Sequence, residues 1–262
     1  MRQFFIPRIE KIEPSQEGVF LSQGIARGVK PSKKIVELYS TALLRYRELA
    51  EPKGVIETIS VQDFSQVHSG MGMNEKKTPL ATIYPQSQYL ALLAFTLGET
   101  ISQEITRLFN NNDFALGSML DSVASEGADM ATRVGEQEFY QFLMVKNQCE
   151  PSITVLLYSP GYCGWHISAQ KRLFEYLRPE EIGITLNQQF LMVPLKSITG
   201  VLVAGKRDIH IFKNNYSFCH ECNHRSCKKR INELKKRDKE INNGHIKSDL
   251  RASAKGRGSK SI

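Results

Sequence analysis

The chain has 262 residues, 41% hydrophobic and 24% charged, which is enough apolar content to bury a core and too much for a disordered segment. Its net charge of +8 is unevenly spread: residues 228–262 hold 12 Lys and Arg against 4 Asp and Glu, while residues 1–227 hold 23 of each sign. The neutral body argues against a nucleic-acid-binding core, and the longest apolar stretch, Leu90 to Leu97, falls far short of a membrane span.

The first residues, MRQFFIPRIEK, carry no long apolar run behind their charges and do not read as a secretory signal. Five cysteines, three of them within nine positions, point to metal binding in a reducing compartment rather than a disulfide scaffold. Together these features predict a cytoplasmic protein.

Residues 1–30 read as an N-terminal segment with a strand near Gly18 to Leu21. A helix starts at Ser32 or Lys33, with Ile35, Leu38, Tyr39, Leu43, Leu44 and Leu49 at helical spacing. Val55 to Val61 alternates and is rich in β-branched residues, which predicts a strand, and Asp63 to Thr78 reads as a polar loop carrying two methionines. Ala81 to Tyr84 and Tyr89 to Thr96 are predicted strands. Thr100 to Phe109 is a helix ended by Asn110-Asn111-Asn112, and Phe114 to Val134 is a longer one. Its small residues Ala124, Ser125, Gly127 and Ala128 suit close packing, and Asp121 and Ser125 share a face at i, i+4, where capping or solvation accounts for them and for Asp129.

Val155 to Tyr158 is an apolar strand that breaks at Ser159-Pro160-Gly161 and feeds a helix with Leu173, Phe174 and Leu177 on one face. A turn at Ile182-Gly183 and a second apolar run lead to Lys196-Ser197 and a β-branched strand, Ile198 to Val203. The alternation of helices and strands, with hairpin-like strands late in the chain, indicates an α+β class. The domain reading is an N-terminal segment (1–30), one α+β domain (31–227) and a basic tail (228–262). The tail begins as a helix and ends in a Gly-, Ser- and Lys-rich stretch for which disorder is expected.

Two stretches carry candidate chemistry. In Ser159-Pro160-Gly161-Tyr162-Cys163-Gly164-Trp165-His166, proline fixes the backbone, glycines let a ligand approach, and the following helix offers unpaired amides to an anion. Tyr162 and Trp165, the single tryptophan, suit a flat ring system. The second stretch, Cys219-His220-Glu221-Cys222-Asn223-His224-Arg225-Ser226-Cys227, has the C-x2-C-x4-C spacing of a compact metal clip, for zinc or an iron–sulfur centre. A closed site needs a fourth ligand, with His220, His224 and Cys149 among the rivals for that place. No Ser-His-Asp arrangement, phosphate loop or zinc-protease motif is present, so conventional hydrolysis has no support and no catalytic residue is assigned.

The order S-P-G-Y, helix, I-G-I-x-L, then L-M-x-P-x-K-S-[IV]-[ST]-G resembles the activation (S-adenosylmethionine-binding) domain of cobalamin-dependent methionine synthase. The segments L-A-F-T-L-G and L-D-S-V-A-S-E-G-A-D add to the match, which covers roughly residues 30–215. The likeness extends to free-standing relatives that act on separate corrinoid proteins and carry a C-terminal Cys cluster. It implies a largely antiparallel sheet flanked by helices, and a turn that contacts S-adenosylmethionine and faces the corrin through Ser159, Pro160, Gly161, Tyr162, Gly164 and Trp165. It also implies Cys163 as the fourth metal ligand beside Cys219, Cys222 and Cys227. Two departures stand out: Leu157 occupies the place of the family's arginine, and Asn187-Gln188-Gln189 the place of its Thr-Glu/Pro-Ser. Leucine cannot pair with a methionyl carboxylate.

The resemblance implies reactivation of a corrinoid methyltransferase protein by reduction of oxidised cobalt, with or without methylation from S-adenosylmethionine. Low-potential electron delivery favours a [4Fe–4S] cluster over zinc. Two other readings remain open: a zinc-stapled, non-enzymatic interaction module whose basic tail binds a protein or nucleic acid, and a sensor that binds the ligand without turnover.

Overall fold

The structure, a computed structural model, describes residues 1–146 and 152–212, together with Tyr216 and Lys236. It falls into two units, Met1–Gly205 and Lys206–Ile262. The described part of the second unit comprises a 3-10 turn at Arg207–His210 and a ring contact between Phe212 and Tyr216 at 6.2 Å. Of the tail helix expected after Lys228 only Lys236, which is helical, is described, and the cysteines 149, 219, 222 and 227 lie outside the described residues.

In the first unit the elements follow as β1 (Arg2–Phe5), α1 (Gln16–Ser22), α2 (Lys33–Leu49), β2 (Lys53–Ile59), α3 (Val61–Ser69), α4 (Pro79–Ile83), β3 (Tyr89–Thr96), α5 (Glu99–Asn110) and α6 (Phe114–Val145). After these come β4 (Ile153–Tyr158), α7 (Gln170–Leu177), β5 (Thr185–Leu186), β6 (Met192–Val193) and β7 (Ser197–Lys206). Five strands form one sheet in the order β1-β2-β3-β7-β4, and β5 pairs with β6 in a separate hairpin. The β1/β2, β2/β3 and β3/β7 ladders are antiparallel, the last running from Tyr89 opposite Ala204 to Thr96 opposite Ser197. The α+β class and the largely antiparallel sheet are therefore as expected.

Because side chains alternate along a strand, the buried strands β3 and β7 serve two layers. One face presents Ala91, Leu93, Leu202 and Ala204, joined by Ile56, Val155 and Leu157, to Phe139 and Leu143 of α6. The N-terminal half of α6 meets α1, α2 and α5 around Tyr46, Phe95, Leu97, Leu120 and Val123. On the other face lie α3 and α7; Thr199 of β7 donates to Gln170 Oε1 of α7 at 2.7 Å. The small residues of α6 serve packing: a Cβ on Gly127 would come 2.5 Å from Tyr46 Oη, and one on Gly135 2.8 Å from Leu93 Cδ2.

Several local expectations fail for identifiable reasons. Gly18 to Leu21 is helical, not a strand, because Ser15 caps α1 by accepting from Gly18 N (3.1 Å). Ala81 to Tyr84 also begins in a helix: Thr78 caps it and Pro79 takes its first position, where the missing N–H costs nothing. The polar loop expected from Asp63 starts as α3, capped by Ser60. The long helix continues past Val134 to Val145, the last two turns burying Phe139 and Leu143.

Candidate functional site

The segments singled out by their order in sequence meet in space. At the end of β3, Thr96-Leu97-Gly98 lies beside the start of β7: Leu97 N donates to Lys196 O (3.0 Å), and Ser197 Oγ to Thr96 Oγ1 (2.9 Å). The same Thr96 hydroxyl accepts from Gly98 N at 3.0 Å, closing a turn in which Gly98 has φ +85°. Lys196 is buried, and its ammonium group donates to Asp121 Oδ1 and Ser125 Oγ of α6, each at 2.7 Å. Asp121 and Ser125 are thus a cation clamp, a role beyond the capping or solvation expected of them. The sequence shows Lys196 as part of the L-M-x-P-x-K-S order but gives it no role, because its partners on α6 come together only in the fold.

The same strand reaches the ligand turn. A Cβ on Gly200 would fall 2.3 Å from Tyr158 O and 3.0 Å from Ser159 Oγ, so only glycine lets β7 lie this close to the end of β4. Beyond it the turn is tied internally by Gly161 N to Trp165 O (2.7 Å), Tyr162 N to Ser159 O (3.3 Å) and Trp165 N to Tyr162 O (3.0 Å). Gly161, Cys163 and Gly164 have φ of +90°, +54° and +75°. Pro160 is buried, Ser159, Cys163 and Gly164 are half-buried, and Gly161 and Tyr162 are exposed. Tyr162, 46% exposed, is the turn's solvent-facing aromatic side chain.

Trp165 points the other way. It is 1% exposed and packs in an aromatic cluster, edge-on to Phe64 (5.7 Å, 80°) and stacked on His68 (5.7 Å, 30°), with Tyr84 beside both. Burial pushes the His68 imidazole below its usual pKa, which keeps it neutral near pH 7. Among the described residues, neither Trp165 Nε1 nor His68 Nε2 has a hydrogen-bond partner. His166 ends the turn as an N-cap, its Nδ1 accepting from Ser168 N at 3.2 Å.

The two departures from the resembled pattern have local explanations. Leu157 is 4% exposed and belongs to the apolar cluster under Phe139 and Leu143, so leucine suits its surroundings. Its N–H donates to Glu136 Oε1 at 2.9 Å, which places a carboxylate at this point of β4. Asn187 organises its own hairpin: its Oδ1 accepts from Gln189 N and Leu191 N, each at 2.9 Å. An open groove of about 610 Å³ lies between α5 and this hairpin, lined by Glu99, Ser102, Arg107, Leu191, Pro194 and Leu195 among others; no residue of the ligand turn lines it.

Among the described residues no three His, Cys, Asp or Glu side chains gather as a metal site. Cys163 is the one member of the expected cysteine set within them. None of the described helices is long and apolar enough to cross a membrane.

The fold is a five-stranded, largely antiparallel sheet with α6 and α2 on one side and α3 and α7 on the other. No family model and no curated protein matches the chain. Among solved structures, a crystal structure of the MetH reactivation domain bound to AdoHcy is similar, with a TM-score of 0.54 and 13% identity over 78% of this chain and 78% of that one. At that identity the likeness is one of fold.

Proposed function

We propose that this protein reactivates a corrinoid-carrying methyltransferase protein whose cobalt has slipped to Co(II). The observation that carries the reading is the convergence of four segments (Thr96-Leu97-Gly98, Asp121 to Ser125, Lys196 to Gly200, and Ser159 to Trp165) on a fold similar to that of the MetH reactivation domain. The corrinoid is the substrate: Co(II) takes up one electron to become Co(I). If S-adenosylmethionine is the second substrate, Co(I) then displaces its methyl group, the C–S bond breaks as the Co–C bond forms, and S-adenosylhomocysteine leaves. The ligand of the similar domain is AdoHcy, which supports a methyl-donor-type ligand here.

The chain's part in this scheme is positional. Ser159, Pro160, Gly161, Tyr162 and Gly164 bind the flat ligand, and Trp165 contributes by anchoring the turn from its buried side. The Asp121–Lys196–Ser125 clamp fixes α6 against the start of β7. Four thiolates, Cys163, Cys219, Cys222 and Cys227, hold an iron–sulfur cluster on this reading, or alternatively zinc. Of the four, Cys163 lies in the described turn, where it is half-buried. When bound, the cluster supplies one electron at low potential. The partner is a corrinoid-binding protein, and the setting is cytoplasmic.

Assays of iron, sulfide and zinc on anaerobically purified protein, with its absorption spectrum, test the cofactor. Stoichiometric iron and sulfide with a band that dithionite bleaches is the expected outcome; one zinc and no colour would reduce the cysteines to a staple.

Leu157 favours a second reading, a zinc-stapled interaction module, because an apolar side chain stands where a donor's carboxylate would need a cation. On that reading the basic tail carries the binding. A salt-dependent gel shift lost on deleting residues 228–262 would support it.

A further inference from the structure

The loop that follows α3 has no regular structure, yet polar contacts fix its place. Met71 and Met73 remain 56% and 55% exposed, so the loop is not held down by burying its own apolar side chains. Instead Asn74 Nδ2 donates to His68 O at 2.7 Å, and Asn74 Oδ1 accepts from His166 N at 2.9 Å. Next to it, Glu75 N donates to Gly164 O at 3.0 Å. The groups Asn74 engages are ones that helices leave unmet: His68 O is among the last carbonyls of α3, and His166 N belongs to the N-cap of the next helical turn. At the start of the loop, Gly70 has φ +52°, and a Cβ there would lie 3.0 Å from Ala169 Cα. His68 itself stacks on Trp165.

We propose that Asn74 is a positioning residue for the ligand turn, acting with the backbone of Glu75 as a strap that joins the end of α3 to Gly164 and His166. The inference rests on the ligand-site reading above. Three of four consecutive turn residues, Gly161, Cys163 and Gly164, have positive φ; glycine adopts it freely, but the non-glycine Cys163 is held there only where its surroundings over-determine it. Bonds inside the turn set its shape, whereas Asn74 and Glu75 tie it to the scaffold. Without them the ligand must order the turn as it binds, and that cost is subtracted from affinity. The strap therefore sets how well Tyr162 and Gly161 are preorganised, although Asn74 itself need not touch the ligand.

The test uses the full chain with Asn74→Ala and Asn74→Asp. Amide exchange over Gly161–Ser168 reads the strap in the free protein, and calorimetric titration with S-adenosylhomocysteine and with cobalamin reads the site. Asn74→Ala is expected to speed exchange at the turn about ten- to a hundredfold and to weaken whichever probe binds the wild type by about tenfold, with the thermal midpoint nearly unchanged. Asn74→Asp keeps the acceptor for His166 N but loses the donor to His68 O, so it should fall between the two, and it serves also if the alanine variant fails to fold. Unchanged exchange at the turn would overturn the strap. Faster exchange with affinity within twofold of wild type would overturn the positioning role alone. Wild-type protein that binds neither probe would overturn the ligand-site reading, and the positioning role with it.

Discussion

Lys196 carries a charge into the protein interior, and Asp121 and Ser125 make that tolerable by each approaching its ammonium group to 2.7 Å. Asp121 keeps 44% of its side chain exposed, so water shares in stabilising the pair and its loss is moderated. Asp121→Asn is expected to cost about 1 kcal/mol and to lower the thermal midpoint by about 2–4 °C; an unchanged midpoint would mean that the clamp contributes nothing to stability. His68 gives a pH dependence of known sign. Burial holds its pKa in the folded protein below the usual value of about 6.5, so the unfolded chain takes up a proton more readily than the folded one. Stability should be intact above about pH 6.5 and fall as pH drops through the folded-state pKa. Urea unfolding followed by the emission of Trp165, the single tryptophan, checks this. The His68→Phe variant should lose this contribution to the acid slope. At this scale the sequence shows Asp121 and Ser125 as one helix face, but Lys196 lies 71 residues beyond Ser125, and no spacing rule connects them.

Elements were legible where length and periodicity agreed, and opaque where a short apolar run fits helix and strand equally. Tyr89–Thr96 and the helices at 33–49 and 99–110 are of the first kind. Of the second kind are α1 and α4, of 7 and 5 residues, whose helical state is decided by Ser15 and by Thr78-Pro79. The strand-to-helix break at Ser159-Pro160-Gly161 is readable from proline and glycine alone; the contact of β4 with Gly200 is not, because it depends on which strands become neighbours. Gly200→Ala would drive a Cβ into a backbone carbonyl that has no rotamer to move. We expect a loss of about 3 kcal/mol or more, read as a large drop in urea midpoint or in soluble yield. Alanine tolerated there without loss would show that β7 does not press on the turn at Ser159.

For the molecule as a whole, sequence order carried the fold further than composition did. Several weak segments in one order pointed to an α+β architecture, and the structure brings them together around the ends of β3, β4 and β7. Fold likeness extends over 78% of the chain at 13% identity, a level at which packing is retained while individual side chains differ. On the proposed function, reduction asks for a docked partner and an electron source, whereas methyl transfer also asks for a bound donor. If the cysteines hold a cluster, removing it anaerobically with a chelator and an oxidant should abolish electron delivery while leaving the described sheet folded; circular dichroism and the reduction rate, measured on one sample, separate the two effects. The most direct measurement of the central claim is anaerobic spectroscopy of a Co(II) corrinoid protein mixed with this protein and a reductant. Co(II) is expected to be converted to Co(I), or to methylcobalt when S-adenosylmethionine is present, at a rate that rises with the amount of this protein added. A conversion rate that is the same with and without it, for every corrinoid protein of the source cell, would contradict the account.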